Sequence, residues 1–171
     1  MTSRILSFIA TFLLLYLVFI IASASVSPMD LTLGLIASLV VAAFTSTFLI
    51  RKSPEQAFNV VRWFWSIAYF FYYFVVIEPK CHWDVIKRII HPKMPIKPGI
   101  VRVPYRVKTD YGITAVACSI TNTPGTVVVD LTEGEKGRYY VHWIDVKTLD
   151  EEGCYENISK SFEKFVRRMF G

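Results

Sequence analysis

Two stretches of the chain carry no charged residue, Ile5 to Ala24 and Leu31 to Ile50, and only Ser25-Val26-Ser27-Pro28-Met29-Asp30 separates them. At 1.5 Å rise per residue, about twenty apolar residues in a helix match the roughly 30 Å hydrocarbon core of a bilayer. The pattern predicts a transmembrane helical hairpin with a polar turn and a proline just ahead of the second helix. Ala22-Ser23-Ala24 is also the kind of small-residue site at which a signal peptide is cut. The apolar run is longer than such a leader needs, however, and a second span follows at once. Arg4 precedes the first helix, Arg51-Lys52 closes the second, and the turn holds no basic residue. Basic residues favour the cytoplasmic side, which places both ends of the hairpin there.

A third apolar stretch, Val60 to Ile77, differs in kind, because Trp63 to Phe74 is dominated by aromatic rings. Trp and Tyr favour the membrane–water interface, where the ring is buried and its polar atom stays wet. This segment is long enough to span. A span would put Lys80, Lys87, Arg88, Lys93 and Lys97 outside, against the positive-inside bias, whereas an interfacial or tilted helix keeps them cytoplasmic. Both readings stand at this stage.

From Glu78 onward charges recur every few residues. Ile86 to Lys97, interrupted by Pro92 and Pro95, reads as a basic linker ending at Pro98. Ile100 to Val107 is largely alternating and strand-like, with Pro104 marking an edge. Asp110 is placed to cap a helix over Tyr111–Thr121, which Thr123-Pro124-Gly125 stops. Thr126–Leu131 and Arg138–Val146 read as strands of a hairpin across Glu133-Gly134-Glu135-Lys136-Gly137. Glu156–Phe170 is an amphipathic helix presenting Ile158, Phe162, Phe165, Val166 and Met169 on one face. The predicted whole is a membrane α-helical hairpin with a third aromatic-rich helix (1–97), then a small βαββα, ferredoxin-like α/β domain (98–171).

Composition narrows the function. The net charge of +5 comes from basic residues beside the apolar segments and in the last helix, not from a glycine- and aromatic-interleaved run. That placement favours a lipid surface as partner and argues against nucleic acid. Cys81, Cys118 and Cys154 have no metal-ligand spacing and read as reduced thiols, with Cys118 buried. The spans offer only Ser, Thr and Tyr as polar groups, whereas proton or cation relays use ionisable side chains within the membrane. His142 is the single histidine of the α/β domain. No nucleophile–base set, phosphate loop or acidic metal cluster accompanies it, and Asp130 and Asp145 read as solvated. We therefore expect no catalytic role, no metal and no cofactor. The second helix carries Gly34, Ser38, Ala42 and Ser46 at i+4 spacing, a smooth stripe for a helix of a partner or for the first helix, which has Ser7 and Thr11.

Pro98-Gly99-Ile100-Val101, Lys108-Thr109-Asp110, Ser119 to Thr126 and Tyr140-Val141-His142-Trp143 occur in an order that resembles the E subunit of Mrp/Mnh multisubunit cation/proton antiporters. Thr123-Pro124-Gly125-Thr126 is the most specific part, and Asn122 departs from the leucine common in the family. The resemblance implies an accessory subunit of a Na+/H+ antiporter module in the cell membrane, its C-terminal domain cytoplasmic, with other antiporter-like subunits as partners. Similar modules are built into archaeal membrane-bound hydrogenase and sulfane reductase complexes. Physically, the motif residues Pro98, Gly99, Thr121, Thr123, Pro124, Gly125, Thr126 and His142 read as fold or subunit-contact residues. Thr121, Thr123 and Thr126 are suited to bond the helix-end backbone. A stand-alone membrane-anchored sensor, with a small ligand near this turn, is the rival reading.

Overall fold

The computed structural model describes residues 2–49, 54–134 and 137–171, so Arg51-Lys52 and the Glu135-Lys136 part of the expected turn lie outside the described residues. By packing, the chain divides into two units, Met1–Val60 and Val61–Gly171.

The first unit is an antiparallel pair of helices, α1 (Thr2–Ser23) and α2 (Pro28–Leu49), followed by a 3₁₀ turn, Pro54–Phe58, that returns onto α1. Ala24 ends α1 with φ at 49°, a left-handed geometry that usually selects glycine. Ser27 caps α2: the Asp30 amide donates to its hydroxyl at 3.2 Å, and the Ser25 and Ser27 hydroxyls each donate to the Asp30 carboxylate at 2.6 Å. Pro28 then fits the first helical position, where no amide donor is required. The large side chains point outward, with Leu17, Val18, Phe44 and Phe48 all exposed. Such a surface is stable in lipid, not in water.

The second unit begins with a continuous helical segment made of α3 (Val60–Tyr72), a π-helical stretch Tyr73–Ile77, and α4 (Glu78–Ile90). The sequence places a linker from Ile86, but the helix runs on to Ile90. Pro79 does not break it, because the π stretch immediately before shifts the bonding: the Glu78 amide donates to Tyr73 oxygen, five residues back. Among the described residues, three helices, over Arg4–Ser23, Pro28–Ser46 and Val60–Ile90, are long and apolar enough to cross a membrane.

A three-stranded antiparallel sheet follows, with β1 (Gly99–Pro104), β2 (Thr126–Thr132) and β3 (Arg138–Trp143) in the order β1-β3-β2. Helix α5 (Asp110–Asn122) joins β1 to β2. The last helix begins as α6 (Glu151–Cys154), passes through a π stretch at Tyr155–Ser159, and ends as α7 (Lys160–Phe170). Thr109, not Asp110, caps α5, its hydroxyl accepting from the Gly112 amide at 3.1 Å. One face of the sheet, with Val101, Val103, Tyr139, Val141 and Trp143, shares a core with Val116 and Ile120 of α5 and with Ile158, Phe162, Val166 and Met169. Tyr73 and Ile77 of the π stretch complete that core. Phe165 packs against the rings of Trp65, Tyr69 and Tyr72, so part of the aromatic segment serves docking.

Two more expectations about single residues change. Cys118 is exposed on α5, whose buried positions are Gly112, Val116 and Ile120; the buried thiol is Cys154. Asp145 is not a solvated residue but pairs at 3.0 Å with Arg88. Arg88 also bonds Asp84 and donates to the Pro95 carbonyl at 2.9 Å, clamping the end of α4 to the chain that enters β1.

Glu163 is fully buried. Its Oε1 accepts from the Arg106 amide at 3.0 Å, while Oε2 has no hydrogen-bond partner. Burial raises its pKa, opposed in part by that amide, by the charges of Arg167 and Arg106, and by the Tyr155 hydroxyl nearby. The folded pKa thus exceeds the unfolded one, so the folded state holds the proton more tightly. The stabilisation this gives is complete below the unfolded pKa and is lost as pH rises through the folded value. Glu163→Gln keeps the acceptor without a charge. We expect its melting temperature to exceed the parent's at neutral pH and the gain to shrink toward pH 4.5, the unperturbed value, in a pH series on the detergent-solubilised chain.

Candidate functional site

The sequence places its candidate residues in two groups, one in each packing unit. Gly34, Ser38, Ala42 and Ser46 are all buried, and among the described residues of α1 the buried positions are the small Ser7, Ala10 and Thr11. The stripe is therefore used within the hairpin, where small side chains let the two backbones come close. At Gly34 an added Cβ would lie 2.3 Å from Cδ1 and 3.1 Å from Cγ of Phe19, so the whole ring would have to swing away. Gly34→Ala should destabilise the hairpin by about 1–3 kcal/mol, as overpacking does. Phe19→Ala in the same chain should recover part of that loss, and unfolding in a detergent titration measures both.

The second group surrounds the end of α5. The Thr123 hydroxyl donates to Ser119 oxygen at 2.7 Å, and that of Thr126 donates to Ile120 oxygen at 2.8 Å. The Thr121 hydroxyl accepts from the Val128 amide at 3.2 Å, tying the helix to β2. Thr123 and Thr126 satisfy carbonyls that the helix end leaves without partners, and Thr121 satisfies an amide of the neighbouring strand β2. Gly125 turns the chain with φ at +96°, and its carbonyl accepts from the Ile144 amide at 2.9 Å. An added Cβ there would meet Ile144 Cγ2 at 3.0 Å.

Tyr73, which no motif singles out, joins this turn. Its hydroxyl lies 3.4 Å from Thr123 Oγ1 and accepts from the Asn122 side-chain amide at 3.0 Å. Tyr69 likewise bonds Ser119. Asn122, the position that departs from the family pattern, is thus a contact to the aromatic helix. The signal in the sequence is only a run of tyrosines, whose hydroxyls need partners when buried.

The remaining motif residues lie along β1 and β3. Gly99 pairs with Trp143 and Ile100 with His142, while Val127 flanks His142 on the other side. Pro98 is exposed ahead of β1, and a Cβ on Gly99 would approach Val146 Cγ2 at 3.1 Å. His142 lies on the exposed face of the sheet, beside Ile100 and Val127. Among the described residues no group of three or more His, Cys, Asp or Glu side chains is placed to hold a metal.

Beside the Thr-Pro-Gly-Thr turn the structure opens a cavity of about 440 Å³. Thr123, Pro124, Gly125 and Thr126 form one wall, and Tyr72, Val76 and Ile77 form another with Lys80, Trp83 and Lys87 farther along the same helix. Lys147, Asn157 and Ser161 complete the rim. None of these lysines is a candidate by motif, because they come from distant parts of the chain.

Residues 12–169 match the family model described as Na+/H+ ion antiporter subunit, MNHE. The chain belongs to this family. Among curated relatives, the E1 subunit of a Na(+)/H(+) antiporter from Staphylococcus haemolyticus is 32% identical over 96% of this chain and 95% of its own length. The corresponding E subunit from Alkalihalophilus pseudofirmus is 41% identical over 48% of this chain, and there the match spans about half of the relative, 51%. A chain in the structure of the membrane-bound sulfane sulfur reductase, an archaeal respiratory membrane complex, is 36% identical. It superposes with a TM-score of 0.82 over 98% of this chain and 99% of that one. In this family member, Gly125→Ala should cost about 1–3 kcal/mol through its positive φ, and Thr126→Val about 1 kcal/mol through its lost hydrogen bonds. Thermal melts of the detergent-solubilised chain measure both.

Proposed function

We propose that this chain is a non-catalytic accessory subunit of a multisubunit Na+/H+ antiporter module, held in the membrane beside larger subunits that move the ions. The observation that carries this reading is the end-to-end likeness to a chain of the sulfane sulfur reductase complex, which includes the hairpin and the α/β domain together. From Ile5 to Ser23 and from Leu31 to Phe48 the polar side chains of the hairpin are all hydroxyl-bearing, which suits bracing better than proton relay. The sheet is read as the split core of a ferredoxin-like domain without its last strand, since β3 lies between β1 and β2 and antiparallel to both. Lys80, Lys87, Arg88, Lys93 and Lys97 favour the cytoplasmic side for that domain.

Purification from the native membrane in mild detergent tests the assignment. Recovery with multi-span antiporter-like subunits is expected, and accompanying iron–sulfur proteins would name a respiratory host complex. Recovery alone would overturn the reading and favour a membrane-anchored sensor using the cavity at the Thr-Pro-Gly-Thr turn. Topology is checked separately with protease protection of terminal tags. The C-terminal tag should be cleaved only after the cell membrane is breached. An N-terminal tag cleaved in intact cells would make Val60–Ile90 a true third span, and a protected one would leave it at the interface.

A further inference from the structure

The cavity beside the Thr-Pro-Gly-Thr turn has an uneven lining. Its Tyr72, Val76 and Ile77 wall is apolar, and Lys80 and Lys87 follow on the same helix, with Lys147 and Ser161 across from them. Ile77 and Lys80 are only about 4.5 Å apart along a helix rising 1.5 Å per residue, so this wall passes from apolar to cationic within about the depth of a headgroup layer. The helix itself is long and apolar enough to lie in a bilayer. Its charged residues begin again at Glu78 and Lys80, which puts the lysines at the level where lipid phosphates reside.

The charges are also unspent. Lys80 and Lys147 have no ion-pair partner among the described residues, and Lys87 lies over the Trp83 ring at 5.5 Å from its centre. The one acid among the cavity's described lining residues, Asp84, is held by Arg88 at 2.9 Å, which Asp145 also engages. The Ser161 hydroxyl has no hydrogen-bond partner among the described residues and is open to donate. Trp83, exposed on the same helix, adds an indole ring of the kind that settles at the headgroup level. A volume of about 440 Å³ lies within the range of ordinary ligand sites, and a bare inorganic phosphate would leave most of it, including the apolar wall, unfilled.

We propose that this cavity binds a phosphate-bearing anion and that its carrier is an anionic membrane glycerophospholipid. The phosphate sits among Lys80, Lys87 and Lys147, and the first chain carbons lie against Tyr72, Val76 and Ile77. Lysine is a suitable partner because its point charge engages a phosphate without demanding a fixed plane. The inference needs the helix to lie in a membrane, and does not need the antiporter assignment. Failure to recover partner subunits would leave it standing.

The test equilibrates the full chain with vesicles of phosphatidylglycerol and phosphatidylcholine in equal parts, extracts it in mild detergent, and counts retained lipid by native mass spectrometry. About one phosphatidylglycerol per chain is expected, preferred over phosphatidylcholine by about tenfold or more. Retention should fall to background in the triple variant Lys80→Gln, Lys87→Gln, Lys147→Gln. It should also fall in Val76→Trp, which blocks the apolar wall at a half-exposed position and leaves the lysines in place. Melting of each variant confirms that it is folded. A melting rise with millimolar inorganic phosphate and no retained lipid would keep the anion site and assign it to the soluble ion. Equal retention of both lipids with no phosphate effect, or undiminished phosphatidylglycerol in both folded variants, would overturn the proposal.

Discussion

The α/β domain has too little chain to close its own core, and the structure depends on how that gap is filled. One face of the three-stranded sheet is covered by α5 and the C-terminal helix, and the aromatic helix supplies Tyr73 and Ile77 to the same core. Small domains bury a small fraction of their surface and lack reserve stability. Here the missing apolar area is borrowed from a helix that is long and apolar enough to cross a membrane. The π stretch at Tyr73–Ile77 is the local device that makes this work. It accommodates Pro79 without a break and sets the Tyr73 hydroxyl against Asn122 and Thr123. The turn motif, the helix irregularity and the core are one construction.

The hairpin solves a different problem by different means. In lipid, apolar side chains gain nothing by hiding from their surroundings, so close backbone approach and polar complementarity must do the work. Small residues on both helices supply the approach, and the Ser25, Ser27 and Asp30 set satisfies the turn.

Much of this is legible in the sequence. The charge-free runs mark the hairpin, alternation marks the strands, and Pro124-Gly125 marks the turn, because a positive φ there excludes most residues. What stays hidden depends on contacts between distant segments. The small stripe on α2 is visible, but whether it faces α1 or another protein is not. Pro92, Pro95 and Pro98 suggest a linker from Ile86, and nothing local announces that the helix passes through Pro79 on a π stretch. Thr109 and Asp110 are both good caps by type, and only geometry selects Thr109. Glu163 occurs in a charged run with nothing local to single it out, yet it is the buried group that the Arg106 amide holds. Arg88 and Asp145 read as separate surface charges because more than fifty residues lie between them. The cavity is illegible for the same reason, being assembled from residues near 80, 125 and 145.

The unbroken helix from Val60 to Ile90 has one mechanical consequence. There is no swivel between its apolar part and the wall it contributes to the core, because both belong to one rod pinned by Tyr73, Ile77 and the Arg88 clamp. Such a rod is about 46 Å long at 1.5 Å per residue, so a tilt of about 10° carries its far end by about 8 Å. A bilayer that thins or thickens changes the preferred tilt of the helices within it. Where this rod crosses a bilayer, the sheet follows its tilt as a rigid passenger, and the thickness of the surrounding lipid becomes a coordinate that positions the domain.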